Sequence, residues 1–331
     1  MHQSEPHQTF HLADIQTRPR LLRSWERVRH RQAHWAIECL AEMFGVFFYC
    51  YAGLGAQAAY ILGNIVNLQG LGSLLTIGLA YAMGVVLATV VTSGTSGGHL
   101  NPAVTLYWVI FKRMPIAKGA RYIVAQILGG YLTCLVVYLQ WKTVIKEAEG
   151  ALVAAGSYDV LQFTANGPAG IFANFAASGT GLGLVWINEF MSDFFIGLVI
   201  RATMDPTNFM APPAAGPWIV GFTYAVAVCS YAPLGLAANA ARDVGGRLAA
   251  ITIWGLKASG GRYAAISAIT NIPATLLACA VYEFVFTDSS RVITSSQKEY
   301  IIGHRAHMEH KESGLRGTSI IDLEEKGTDE T

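Results

Sequence analysis

The sequence predicts an all-α membrane protein, with six transmembrane helices plus two re-entrant half-helices arranged as an inverted repeat. Three observations carry this reading. Charged residues make up 14% of the 331-residue chain, against about 25% in a soluble domain, and the deficit is concentrated between residues 35 and 286. Six apolar stretches there are long enough to cross a hydrocarbon layer of about 30 Å, which takes roughly 20 helical residues. Two further apolar runs are too short to cross, and each begins just after an asparagine.

The spans are 35–60, 74–93, 119–141, 184–204, 214–233 and 264–286, and the short runs are 102–112 and 240–254. Arg18, Arg20, Arg23, Arg27, Arg29 and Arg31 precede the first span, and Lys112, Arg113, Lys118 and Arg121 lie between the second and third. By the positive-inside rule both regions face the cytoplasm, and six spans return the C-terminus to the same side. Lys257 and Arg262 then fall outside, against the rule. Residues 1–34 and 287–331 read as cytoplasmic tails without a packed core. The first 34 residues show no apolar core of a cleavable signal peptide. Residues 142–183 form the outer connection. Its end, GPAGIFANFAASGTGLG, reads either as the lining of a vestibule or as a flexible linker.

The apolar region, 35–286, repeats itself. AEMFGVFF at 41–48 aligns with NEFMSDFF at 188–195, pairing Glu42 with Glu189, and LNPAV aligns with ANAAR. The first repeat is 35–141 and the second 184–286. Each holds three spans and a short helix after its second span. Three is odd, so the second repeat enters the membrane inverted. Such repeats place a site at the midplane between broken or half helices.

The chemistry sits at the two helix starts. Asn101 and Asn239 are placed to cap the half-helices, and Pro102 suits a first helical position, where its missing N–H costs nothing. Each helix start carries partial positive charge. Two starts meeting at the centre repel cations, and their amides donate to the oxygen of water or of an alcohol. Half-helix ends that exclude protons and cations are a known selectivity device. Arg242, three residues after Asn239, is a charge inside a membrane segment, and such a residue is expensive and functional by default.

Composition excludes other classes. A net charge of +1 gives no footprint for nucleic acid. The five cysteines, Cys39, Cys50, Cys134, Cys229 and Cys279, fall in apolar segments and suggest no disulfide framework. No metal-ligand spacing or nucleophile-with-base pattern points to an enzyme. The Gly-rich SGTSGGH at 93–99 lacks the lysine of a phosphate loop, and no cofactor is expected. A coupled transporter, the alternative of a different class, should expose titratable groups along its path. The predicted path is apolar apart from Asn101, Asn239, Arg242 and Tyr81.

SGGHLNPAVT at 96–105, the repeated Glu segments and NAARD at 239–243 resemble the major intrinsic protein family, the aquaporins and aquaglyceroporins, over residues 35–286. The second motif departs from the family's Asn-Pro-Ala, because Ala240 replaces proline. Ala is a good helix former, so the half-helix should survive, with the fixed φ and ring packing lost. The resemblance implies a channel for water and small neutral solutes, glycerol foremost. Alternatives are a water-selective pore or a facilitator of urea or hydrogen peroxide. It also implies a homotetramer embedded in lipid, with one pore per subunit, and the plasma membrane is the default location.

By the same resemblance, Arg242 lines an outer filter with Tyr81, Leu236 and either Val228 or Ala227, and Val104 is its uncharged counterpart in the first repeat. Asp243, Arg247 and GIFANF follow the aquaglyceroporin pattern, whereas Ile269-Thr270 replaces a Pro-Leu pair of that subgroup. Asp243 reads as a structural partner of an arginine. Glu42, Glu189 and Gln126 read as satisfied buried groups that hold the re-entrant loops. His99 reads as a packed loop residue rather than a pH gate. Gly45, Gly84, Gly129 and Gly130 allow close helix packing. Ser313, Thr318 and Ser319 are tail hydroxyls open to phosphorylation.

Overall fold

The computed structural model describes residues 12–68, 70–177 and 179–315. The chain divides into two compact units, one of residues 38–291 and one formed by the two ends. Within the first unit and its flanking helix turns, six helices are long and apolar enough to cross a membrane. The spans run His34–Ile65, Leu74–Ser96, Ile116–Ala154, Leu182–Thr203, Pro213–Tyr231 and Tyr263–Val285. The half-helices are Pro102–Phe111 and Ala240–Trp254. Leu87, Val90, Val91, Leu139 and Leu184 are exposed on the outer faces of the spans, the pattern of helices solvated by lipid chains.

Local sequence explains the boundaries. Ser73 opens the second span with a capping box shared with Thr76, and Gly97, with φ of 94°, closes it in the left-handed conformation. Pro115 caps the third span without supplying a side-chain hydrogen bond. In the sixth span, Tyr263–Ile269 and Asn271–Val285 meet at Thr270. Pro273 has no N–H to offer the Ile269 carbonyl, which accounts for the break there.

Tight packing holds the bundle together. The second span packs on the fifth, the fourth on the sixth, and the second half-helix on the third span. A Cβ on Gly129 would stand 2.3 Å from the Met43 carbonyl oxygen, and one on Gly130 would stand 2.7 Å from that of Ala241. Only glycine allows these backbones to approach so closely.

The two ends of the chain carry structure of their own. Arg20–Val28 is helical and leads into a π turn at Arg29–Ala33, against which the helix Ser295–Leu315 packs. Their polar composition hid helices that do not need a continuous apolar stripe. Ser313 falls in the last of these helices, while Thr318 and Ser319 lie outside the described residues. The stretch 142–183 is not a flexible linker. The third span continues as helix to Ala154, and a short 3₁₀ turn, Pro168–Ile171, is fully buried. Glu149 fastens this segment, accepting hydrogen bonds from Gln162 Nε2 at 3.2 Å and from Trp254 Nε1 at 2.6 Å.

Candidate functional site

The two half-helices begin at matching asparagines. Asn101 Oδ1 accepts from the Ala103 amide at 2.9 Å, and Asn239 Oδ1 from the amides of Ala241 at 2.9 Å and Arg242 at 3.3 Å. Both are N-caps in extended backbone, at φ −151° and −157°. The residue before each, Leu100 and Ala238, sits at φ 52° and 54°, a left-handed conformation that costs a non-glycine residue about 1–2 kcal/mol. The strain has a geometric product, because each carbonyl is turned toward the other loop. Asn239 Nδ2 donates to the Leu100 carbonyl at 2.7 Å, and Asn101 Nδ2 donates to that of Ala238 at 3.2 Å. One N–H of each amide thus ties the loops together. Asn239 keeps its second N–H for a passing oxygen, while the Asn101 side chain also interacts with the Tyr224 hydroxyl.

Buried carboxylates hold both loops. Glu42 accepts from the His99 and Leu100 amides at 2.9 and 2.8 Å, from Ser96 Oγ at 2.6 Å and from Gln126 Nε2 at 2.7 Å. Glu189 accepts from the Ala237 amide at 3.0 Å and from the Tyr263 hydroxyl at 3.0 Å. His99 lies 3.2 Å from Thr105 Oγ1 and stacks on Trp108.

Arg242 is buried and lines a cavity of about 630 Å³. Its Nη1 donates to the Phe172 carbonyl at 3.4 Å, and its Nη2 to the Tyr81 hydroxyl at 3.2 Å and to Gln57 Oε1 at 3.3 Å. A guanidinium has five N–H donors, so some remain for a solute. Tyr81, Val228 and Leu236 line the same cavity, whereas Ala227 is fully buried and does not. Pro102 and Ala240 both occupy the first helical position and are buried. Asp243, with no exposed surface, pairs with Arg247 at 2.9 Å and accepts from Ser267 Oγ at 3.0 Å. Arg247 in turn donates to the carbonyls of Ser259 at 2.9 Å and Asn174 at 3.1 Å. This pair, which does not itself line the cavity, therefore ties the loops at Asn174 and Ser259 to the second half-helix.

Sequence reasoning missed Gln57, Asn188 and Asn271. Gln57 also donates to the Gly170 carbonyl at 2.8 Å, joining the first span to the outer loop beside Arg242. Asn188 Nδ2 donates to the Gly235 carbonyl at 2.7 Å, and Asn271 Nδ2 to that of Ala238 at 3.0 Å. Each is a lone amide in an apolar run. The signal available was that a polar side chain at membrane depth needs a partner.

Two opposed half-helices in a six-span inverted repeat, meeting beside an arginine-lined cavity, define a membrane channel of the aquaporin fold. Residues 29–256 match the profile of the family described as Major intrinsic protein, and the chain belongs to that family. Aquaporin-3 of Laccaria bicolor is 49% identical over 308 residues, covering 92% of this chain and 93% of that protein. Aquaglyceroporin-2 of Rhizophagus irregularis is 34% identical over 212 residues, covering 64% of each. The X-ray structure of the aquaglyceroporin from Plasmodium falciparum superposes with a TM-score of 0.63 at 20% identity, covering 76% of this chain and 96% of that one, which bears on the fold alone. The protein is thus an integral, multi-pass member of a channel family and not an enzyme.

Proposed function

We propose that this channel passes water and small neutral polyols, glycerol foremost, and excludes protons and ions. The observation that supports the reading is the make-up of the cavity lining around Arg242. Arg242 and Tyr81 offer polar groups there, while Val228 and Leu236 offer apolar surface. A solute with hydroxyls along a carbon backbone suits both faces at once. Water has no use for the apolar face. The name of the relative from Rhizophagus irregularis points the same way.

In this reading Arg242, Tyr81, Leu236 and Val228 form the filter, and Asn101 and Asn239 form the pore centre. Glu42, Glu189, Asp243, Pro102 and Ala240 support them. Cations meet Arg242 first and then the positive ends of two half-helices. The amides of Asn101 and Asn239 present donors that hold a passing water by its oxygen, which breaks a proton-relaying file. Residues 35–286 act as the channel domain, both ends lie in the cytoplasm, and four copies assemble in the plasma membrane.

The test is osmotic. Vesicles carrying the purified protein should shrink quickly in an impermeant osmolyte, and reswell quickly under an inward glycerol gradient. Fast shrinkage without reswelling would replace this reading with a water-selective pore.

A further inference from the structure

Along the first span, Glu42, Gly45, Tyr49, Gly53 and Gln57 are spaced three or four residues apart and share one helix face. The contacts at either end of this stripe fix its depth. Glu42 holds the His99 and Leu100 amides, and a Cβ on Gly45 would stand 2.0 Å from Leu100 Cδ2. That end is level with Asn101. At the other end Gln57 accepts from Arg242, and a Cβ on Gly53 would stand 2.2 Å from the Tyr81 ring. That end is level with the filter. Tyr49 stands between them, about 6 Å along the helix axis from Gly45 or Gly53 at a rise of 1.5 Å per residue.

Tyr49 is 4% exposed, lines the cavity, and has its ring centroid 6.1 Å from that of Tyr81. Its hydroxyl has no hydrogen-bond partner among the described residues. The neighbouring Cys50 thiol interacts with it but is a weak donor and completes no bond of normal geometry. A buried hydroxyl left unpaired is destabilising, and the residue that carries it lines the cavity.

We infer that the Tyr49 hydroxyl is a hydrogen-bonding station for the permeant, placed between the filter and the pore centre, and that it favours polyols over water. This inference rests on the polyol reading above. Arg242 can only donate, whereas a tyrosine hydroxyl both donates and accepts, as a polyol hydroxyl does. A three-carbon polyol can engage Arg242 with one hydroxyl while another reaches Tyr49. A single water can engage only one of the two at a time.

The test is Tyr49→Phe in reconstituted vesicles, which removes one oxygen and keeps the ring. Tyr107→Phe is the matched control, because the Tyr107 hydroxyl is equally buried and unpartnered but its residue does not line the cavity. Tyr49→Met is a second variant without the oxygen. Both Tyr49 variants should lower the ratio of glycerol to water permeability about fivefold, the effect of one lost hydrogen bond. Tyr107→Phe should leave that ratio unchanged. Glycerol transport should fall further than that of 1,2-propanediol, which has one hydroxyl fewer. An unchanged ratio in the Tyr49 variants, with wild type passing glycerol, overturns this inference and leaves the polyol reading standing. Wild-type vesicles that pass water and no glycerol overturn both.

Discussion

The two re-entrant loops perform the same geometry with different means. The first has proline after its asparagine, and a single carboxylate, Glu42, that gathers four donors. The second has alanine in that place. Its Glu189 has two donors, the Ala237 amide and the Tyr263 hydroxyl, and the remaining support is spread over Asn188, Asn271 and the Asp243–Arg247 pair. Yet the caps agree within a few degrees in φ, and the preceding residues adopt the same left-handed turn. The asparagine cap and the cross-loop carbonyl set the conformation. Proline assists but is not required.

The sharpest way to break this comparison is to remove each anchor. Glu42→Ala strands four donors, two of them backbone amides, and should destabilise by about 4 kcal/mol at roughly 1 kcal/mol or more per unpaired group. Glu189→Ala strands two and should cost about 2 kcal/mol by the same reasoning. The apparent midpoint of thermal unfolding in detergent checks the order. Equal losses would mean that the second loop depends on its carboxylate as heavily as the first.

The asymmetry of the filter gives the next effect. Arg242→Ala removes the charge of the proposed filter, where the first repeat has Val104. Permeability to four-carbon polyols should rise on the order of tenfold, the equivalent of about 1.4 kcal/mol of barrier, and ion leakage should appear. Unchanged selectivity, measured by polyol reswelling and by vesicle conductance, would remove Arg242 from its proposed role.

The smallest effect concerns the missing proline. Asn239 already has the extended backbone that a following proline demands, and the first helical position needs no N–H. Ala240→Pro should therefore leave transport intact and stabilise by about 0.4–1 kcal/mol through the unfolded chain. Pro102→Ala should cost a similar amount. A loss of transport in Ala240→Pro would show that alanine is required at the second loop.

These comparisons also show what the sequence made legible. Each span and half-helix follows from hydropathy, and the asparagines followed from being polar amides at helix starts. The third span was drawn too short, because Lys142, Lys146, Glu147 and Glu149 ended the apolar run. All four still favour helix, and Lys146 pairs with Glu149 at 3.0 Å across one turn. Gln57 and Asn271 were invisible for a different reason. Their partners, Arg242 and the Ala238 carbonyl, lie far along the chain, and nothing local signals such a bond. Nothing local singles out Tyr49, whose level between Leu100 and Tyr81 is set by how the first span packs on both.

The central claim is that solute moves passively through a pore closed to protons. The direct measurement is glycerol entry into reconstituted vesicles carrying an internal pH dye, with and without a proton gradient across the membrane. The account predicts the same reswelling rate in both cases and no internal pH change beyond that of empty vesicles. A rate that falls when the gradient is collapsed, or protons entering with the glycerol, would contradict it and make the protein a coupled transporter.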